Sequence, residues 1–388
     1  MLNKEKKLNV LTLCSWYPND NNPTLGNFVQ KHADTIALQN RAIALAIFPS
    51  TGDTSVRLVH TKRNELDELV VYYPKQEGGF VLLSKIKNFF SHRKAFKLGY
   101  LKVVELMGKP DVVHLNIVYP LGIWALWLKL RYKIPYVITE NSSGFHVGTE
   151  HAYPKRILTL CRIILKHASV LMPVSINLKT SLQKLSGSDS FEIVCNVVDE
   201  QLFETSFQEN TSKNRFIHIS TGVDSIKNLS GMIMVINGLC LSQPDIHLDI
   251  VSDGDIEYAK ELHRRLGGNQ CIDFHSTKTT EEIAGMIASC DALLMFSNYE
   301  NFPCVIAESM MSGKPVISSN VNGIPEHVNK ENGILVNPRD EGALGNAISS
   351  FISGEINFDS KKIRAYAMEH FSYREVGAKF TTIYQSIL

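Results

Sequence analysis

Short runs of β-branched and aliphatic residues alternate with longer stretches of helical periodicity along the whole chain. Buried parallel strands joined by crossover helices produce this pattern. In the first half the runs predict strands at Asn9–Cys14, Ala42–Phe48, Val70–Tyr73, Val112–Leu115, Tyr136–Thr139 and Val170–Pro173. Helical stretches near Gly26–Gln39, Lys85–Glu105, Gly122–Leu130 and Lys155–His167 fall between or beside them. A second series follows at Phe216–Ser220, His247–Ser252, Ile272–His275, Ala292–Phe296, Pro315–Ser319 and Ile334–Val336. Between the two series lies Asp199–Asn214, polar and poor in β-branched residues, which reads as a linker. The fold class expected is α/β, with two doubly wound domains facing each other across a cleft. Residues 1–200 form the first domain and 201–369 the second, followed by a helical tail over Ile363–Leu388 with aromatics at 366, 371, 373, 380 and 384.

Composition narrows the class of partner. A chain of 388 residues is long enough for two full cores. A net charge of +1 argues against nucleic acid recognised by bulk electrostatics. Seven scattered cysteines, an odd number without a C-x-x-C pair, read as free thiols in a reducing cytosol. Met1–Lys7 is polar and Leu8–Cys14 only strand length, so no secretory signal is expected. The longest apolar run, Ile117–Leu130, contains Pro120 and Gly122 and is too short to span a bilayer.

The chemistry concentrates between Ser297 and Ser318. This stretch reads as a loop carrying Glu300, a helix carrying Glu308, a stop at Gly313–Pro315 and a buried strand. Pro303 suits the first turn of a helix, where a missing N–H is harmless. The helix start around Asn301, Phe302 and Pro303 would then offer backbone N–H groups to a phosphate. Glu300 and Glu308 would accept hydrogen bonds from hydroxyls, giving a pocket for a nucleotide sugar. The competing interpretation is an ordinary βα unit with two solvent-facing glutamates.

The block resembles the Glu-x7-Glu signature of the GT4-type retaining glycosyltransferases. Asn322-Gly323-Ile324-Pro325-Glu326 and Asn332-Gly333-Ile334-Leu335-Val336 are similar to the turn and strand that follow it in that family. The resemblance implies a GT-B fold of two Rossmann-like domains, a nucleoside diphosphate sugar as donor, no metal cofactor, and a terminal helix (370–388) returning to the first domain. It also assigns sites. Gly26, in the turn after the first strand, matches the family's glycine loop; without the resemblance it reads as an ordinary turn glycine. Lys227 matches a lysine that places charge on the departing diphosphate, and is otherwise one basic residue on a solvated face. His114 resembles a histidine at a strand end, where a hydrogen-bonded structural histidine is the equal alternative.

Two positions depart from the family. An arginine usually found a few residues before the lysine falls on Gly222, give or take one. Asn141 stands where many relatives carry a histidine, and an asparagine cannot shuttle a proton near neutral pH. Asp253-Gly254-Asp255 mimics a metal-binding pair but follows a strand where the family has a turn without metal. Asn196-Val197-Val198-Asp199 resembles a structural turn of the family. Finally, Leu82–Lys109 carries seven Lys/Arg against one Glu, interleaved with Phe89, Phe90, Phe96 and Tyr100. It is either an interfacial segment for an anionic membrane or a core helix with a basic outer face.

The function these features imply is a retaining, metal-independent glycosyltransferase, with Glu300, Lys227, His114 and Asn141 around the reacting groups. Gly26, Glu308, Asn301, Phe302 and Pro303 would bind the donor. The acceptor would be a carbohydrate or a lipid-linked glycan, in the cytoplasm or on the inner face of the membrane. The alternative is a nucleotide-sugar-binding relative with little turnover. Donor base, sugar, acceptor and linkage leave no trace in the sequence.

Overall fold

The computed structural model describes residues 7–76, 78, 81–146, 152–204, 214–268 and 270–388. The chain divides into two compact units, residues 1–197 with 374–388, and residues 198–373. The first six residues and positions 205–213 of the expected linker lie outside the described residues.

The first unit is built on a seven-stranded sheet. In chain order its strands are β1 (Asn9–Cys14), β2 (Arg41–Ser50), β3 (Arg57–Arg63), β4 (Leu66–Pro74), β5 (Val112–Asn116), β6 (Tyr136–Glu140) and β7 (Val170–Pro173). Their spatial order is β3-β4-β2-β1-β5-β6-β7. All neighbours are parallel except β3, which runs antiparallel to β4. The crossovers are α1 (Asn27–Gln39), α2 (Val81–Met107), α3 (Gly122–Tyr132), α4 (Lys155–His167) and α5 (Ile176–Ser186). Strands β5 and β6 are buried at every position, as both faces of a covered parallel sheet require. β3 was not expected, and its sequence explains why. Arg57-Leu-Val-His-Thr-Lys-Arg63 has no apolar alternation, because an edge strand paired on one side buries little.

The second unit carries a six-stranded, all-parallel sheet. Its strands are β8 (Arg215–Ser220), β9 (His247–Ser252), β10 (Ile272–His275), β11 (Ala292–Met295), β12 (Val316–Ser319) and β13 (Gly333–Val336). They lie in the order β10-β9-β8-β11-β12-β13. The reversal beside β8 is the topological switch point at which such sheets bind ligands. The helices are α6 (Asp224–Lys227), α7 (Leu229–Cys240), α8 (Glu257–Arg265), α9 (Thr280–Ser289), α10 (Cys304–Met311), α11 (Glu341–Ile352) and α12 (Ser360–Phe371). Thr279 and Glu282 form a reciprocal capping box at the start of α9.

The tail is two helices, not one. α12 ends at Ser372, which is extended (φ −67°, ψ 151°), and α13 (Tyr373–Ser386) begins at once. From Arg374 onward the tail belongs to the first unit. There Phe380 and Tyr384 are buried, Tyr384 stacking on Phe380 at 6.4 Å. No helix among the described residues is long and apolar enough to cross a membrane.

Candidate active site

The carboxylates of the 297–318 block are not solvent-facing. Glu300 and Glu308 are 8% and 9% exposed, and Val305–Met311 of α10 are buried throughout. Pro303 departs from the expected position. It is the N-cap residue, in extended conformation (φ −68°, ψ 131°), and helical geometry begins at Cys304. Proline has no side chain that could cap the first turn, and no side-chain cap bond is made there. Phe302 anchors the turn from below, stacked on Phe371 at 5.4 Å and 4.6 Å from the His327 ring.

The loop that carries Glu300 is tied to the turn that carries Lys227. Asn298 donates its backbone N–H to the Ile226 carbonyl (2.7 Å) and its side-chain amide to the Ser225 carbonyl (3.1 Å). Arg339 in turn donates to Asn298 Oδ1 (3.0 Å). These bonds bring Lys227 Nζ to 2.5 Å from Glu300 Oε1. Ser297 donates its hydroxyl to the same oxygen (2.8 Å), and the Glu300 N–H reaches Asn322 Oδ1 at 3.4 Å. Lys227, Glu300 and the start of α10 are therefore one constellation within the second unit. Ser297, Asn298 and Asn322 belong to it as well. All three lay within quoted stretches without a role of their own, and the Asn322 backbone at φ +46° fits an asparagine turn.

The turn after β8 leaves no room for a side chain at Gly222, where the family's arginine would fall. Gly222 has φ +73°, and a Cβ there would lie 2.3 Å from Ile256 Cγ2 and 2.9 Å from Ser252 Oγ. No side chain fits at 222, and neither neighbour, Thr221 nor Val223, is a cation. The turn is fixed by His218, whose Nδ1–H donates to the Leu294 carbonyl (2.8 Å) while Nε2 accepts from Ser220 (2.8 Å). Ser220 Oγ then accepts the Gly222 N–H at 3.1 Å. Burial holds His218 at about 4, so the ring is neutral and that tautomer follows. Beyond β9, Asp255 accepts the Glu257 N–H (3.0 Å) at the start of α8, and Gly254 packs against the Thr221 carbonyl.

In the first unit, Gly26 is the N-cap of α1 at φ 69°, and a Cβ would meet the Trp16 carbonyl carbon at 2.6 Å. Glycine is obligatory there on both counts. Tyr17, next to that contact, is anchored by donating to Glu68 Oε1 at 2.6 Å. His114 lies inside β5, not at its end, and is fully buried. Its Nδ1 is 2.5 Å from the Tyr384 hydroxyl and its Nε2 2.6 Å from that of Thr139. Desolvation drives it well below the usual histidine range. Both ring nitrogens thus face hydroxyl partners inside the first unit. Asn141 follows β6 and donates its amide to Asn196 Oδ1 at 2.6 Å, so the Asn196–Asp199 turn positions it.

Next to Asn141, Glu140 was not singled out in the sequence. It is buried and accepts backbone N–H groups from Val118 (2.9 Å), Asn141 (2.9 Å) and Ser142 (2.7 Å). Burial outweighs these bonds and raises its carboxyl to about 7. No feature of Ile-Thr-Glu-Asn distinguishes it from a surface acid.

The glycosyl transferases group 1 family model matches residues 201–370, and the glycosyltransferase family 4 model matches residues 55–202. An MMP alpha-(1->4)-mannosyltransferase of Mycolicibacterium hassiacum is 26% identical over 196 residues, 49% of this chain and 47% of that protein. The chain thus spans about half of that curated relative. Among solved structures, sucrose-phosphate synthase from Thermosynechococcus elongatus superposes with a TM-score of 0.76 at 17% identity, covering 98% of this chain and 99% of that one. HepE of Anabaena in complex with UDP gives 0.71 at 19%, covering 98% and 100%. The two family models meet at the boundary between the parallel-sheet units, and the chain belongs to the GT4-type group 1 glycosyltransferases, with the GT-B fold.

Proposed function

We propose that the protein transfers a sugar from a nucleoside diphosphate donor to a carbohydrate or lipid-linked acceptor, with retention and without a catalytic metal, in the synthesis of a cell-surface polysaccharide. One observation carries the reading: Lys227 is paired with buried Glu300 just before the start of α10, and Glu308 is buried in the same helix. In this scheme Glu308 binds the ribose hydroxyls and Glu300 the hydroxyls of the transferred sugar. The backbone around Asn301–Pro303 orients the sugar and its phosphate. Lys227 and the helix start stabilise charge on the departing diphosphate, where catalysis of such a transfer is concentrated. That HepE was solved with UDP supports a nucleoside diphosphate as leaving group. A thermal-shift panel of nucleoside diphosphates and their sugars tests the donor site. A ligand at a hundred times its dissociation constant adds ~2.7 kcal/mol, and a flat panel refutes the assignment. Transfer that survives a chelator, with the anomeric configuration of the product read by NMR, tests the other two claims.

A second reading, donor binding with weak turnover, is favoured by the absence of a cation on residues 221–223 and by Asn141 in place of histidine. Glu300→Ala and Glu308→Ala separate the two. A catalyst loses transfer in each variant, whereas a binder changes only its affinity.

A membrane-surface location is supported by α2. Phe96 is buried and Tyr100 packs against the core, yet Leu83, Ile86, Phe89, Phe90, Leu98 and Leu101 are exposed on the same helix. Six of the seven basic residues of the stretch lie on α2 itself. An exposed apolar face with flanking lysines suits an anionic bilayer and a lipid-linked acceptor at the cytoplasmic face. Vesicles containing anionic lipid should sediment the protein and neutral vesicles should not; equal pelleting by both, or none, refutes the electrostatic contribution.

A further inference from the structure

At the edge of the second unit's sheet, β9 and β10 place two histidines and two aspartates on one face. Strand side chains alternate, so Leu248, Ile250 and Ile272 enter the core while His247, Asp249, Asp273 and His275 point to the other side. Asp249 and Asp273 are direct partners in the parallel register, and Arg215 on β8 pairs with His247. A ligand atom from each of His247, Asp249 and Asp273 lies within 4.8 Å of the others. His247 Nε2 is 3.4 Å from Asp273 Oδ2 and 3.7 Å from Asp249 Oδ1. A tetrahedral ion with bonds of about 2.1 Å has ligand–ligand edges of about 3.4 Å, which the two separations from His247 already approach.

We infer that this face binds a zinc-type divalent cation through His247 Nε2, Asp249 Oδ1 and Asp273 Oδ2. The remaining two groups orient the central ligand. His275 Nε2 is 2.7 Å from Asp249 Oδ1, too short for a second ligand on the same ion but right for an N–H donated to a metal-bound carboxylate. Arg215 Nη2 holds the other oxygen, Oδ2, at 3.4 Å. Asp249 is thus buried and directed, Asp273 is exposed, and solvent completes the fourth position. Mixed imidazole and carboxylate ligation suits zinc better than magnesium or calcium, which take oxygen alone. The ion would fasten β10, a four-residue edge strand bonded to β9 alone, across the sheet edge. The site is separate from the residues proposed to bind donor.

Isothermal titration of the purified full chain with zinc tests this, beside His247→Ala and Asp273→Asn, neither of which removes a core side chain. The wild type should take up one equivalent that both variants lose. At free zinc a hundred times the dissociation constant its folded-to-unfolded ratio should rise about a hundredfold, and the variants should not respond. Cobalt should give a tetrahedral visible spectrum without thiolate charge transfer, separating this site from the free cysteines. No uptake at large molar excess, equal uptake by wild type and variants, or a thiolate spectrum would overturn the assignment.

Discussion

The Lys227–Glu300 pair makes a prediction in which stability and activity part company. The two side chains are 15% and 9% exposed, and the contact is 2.5 Å. At an effective dielectric of ~20 the bare attraction is about 7 kcal/mol, but desolvating both ions cancels most of it, leaving little net gain over an apolar pair. Breaking the pair from one side is different, because the partner is left as a buried, uncompensated charge. Lys227→Met should therefore destabilise by about 3 kcal/mol. Glu300→Gln should cost somewhat less, since the amide oxygen still accepts from Ser297, which now donates to Glu300 Oε1. The double variant should recover part of the loss, with a coupling of about 1–3 kcal/mol. Urea midpoints at constant m-value measure the cycle. Transfer should show no recovery, since on the proposed reading one group serves the diphosphate and the other the sugar. Additive stabilities would refute the ion pair as a structural unit. Activity restored in the double variant would refute separate roles in the reaction.

Three further perturbations follow from local geometry. Val223 is 47% exposed beside the turn where Gly222 excludes every side chain; Val223→Arg should fold normally and tighten nucleoside diphosphate binding about tenfold, whereas Gly222→Arg should cost more than ~2 kcal/mol from left-handed strain and overpacking, both read by thermal shift with and without nucleotide. Gly26→Ala meets the same two penalties against the Trp16 carbonyl and should lower the melting temperature by several degrees; an unchanged value would refute the close approach. Glu140 titrates in the folded chain at about 7, up from 4.5. The folded state then holds a proton that the unfolded state has lost, so its contribution is complete below about pH 4.5 and declines as pH rises through 7, by ~3 kcal/mol in all. The difference in urea midpoint between wild type and Glu140→Gln should change across that window in this sense, and a constant difference would refute the raised carboxyl.

What could be read from the sequence depended on how local the physics was. The covered strands announced themselves because a covered parallel strand must be apolar on both faces, and β1 and β7 stand where the pattern placed them; β9 and β10 stand there too, carried by the apolar residues of one face. β3 had no such requirement and gave no signal. The 297–318 block was legible as a unit because its glycine and prolines mark the ends of a short helix, although Pro303 proved to be the residue before the helix. Its surroundings were not legible. Asn298 earns its place through bonds to Ser225 and Ile226, 73 and 72 positions away, and no spacing rule connects them. The same limit hid the partner of Lys227, since a lysine on a four-residue helix looks solvated until the loop from the other side of β11 closes on it.

That dependence also explains how one departure from the family pattern could coexist with the rest of the constellation. The His218–Ser220–Gly222 chain fixes the turn after β8 through the Leu294 carbonyl on β11. Glu300 follows β11 by only five residues, so the strand that anchors the turn also delivers the carboxylate. Lys227 then meets Glu300 whatever side chain stands at 221 or 223, because Asn298 joins the two loops through backbone groups of Ser225 and Ile226. A cation could thus be lost from the turn without displacing the lysine. Replacing Asn298 is the direct test. Asn298→Ala leaves the Ile226 contact, made by the backbone N–H, but removes the bonds to Ser225 and Arg339. It should loosen the Lys227–Glu300 pair and shrink the coupling in the double-variant cycle by at least half. An unchanged coupling in the Asn298→Ala background would mean that the pair is positioned without the Asn298 side-chain bonds to Ser225 and Arg339.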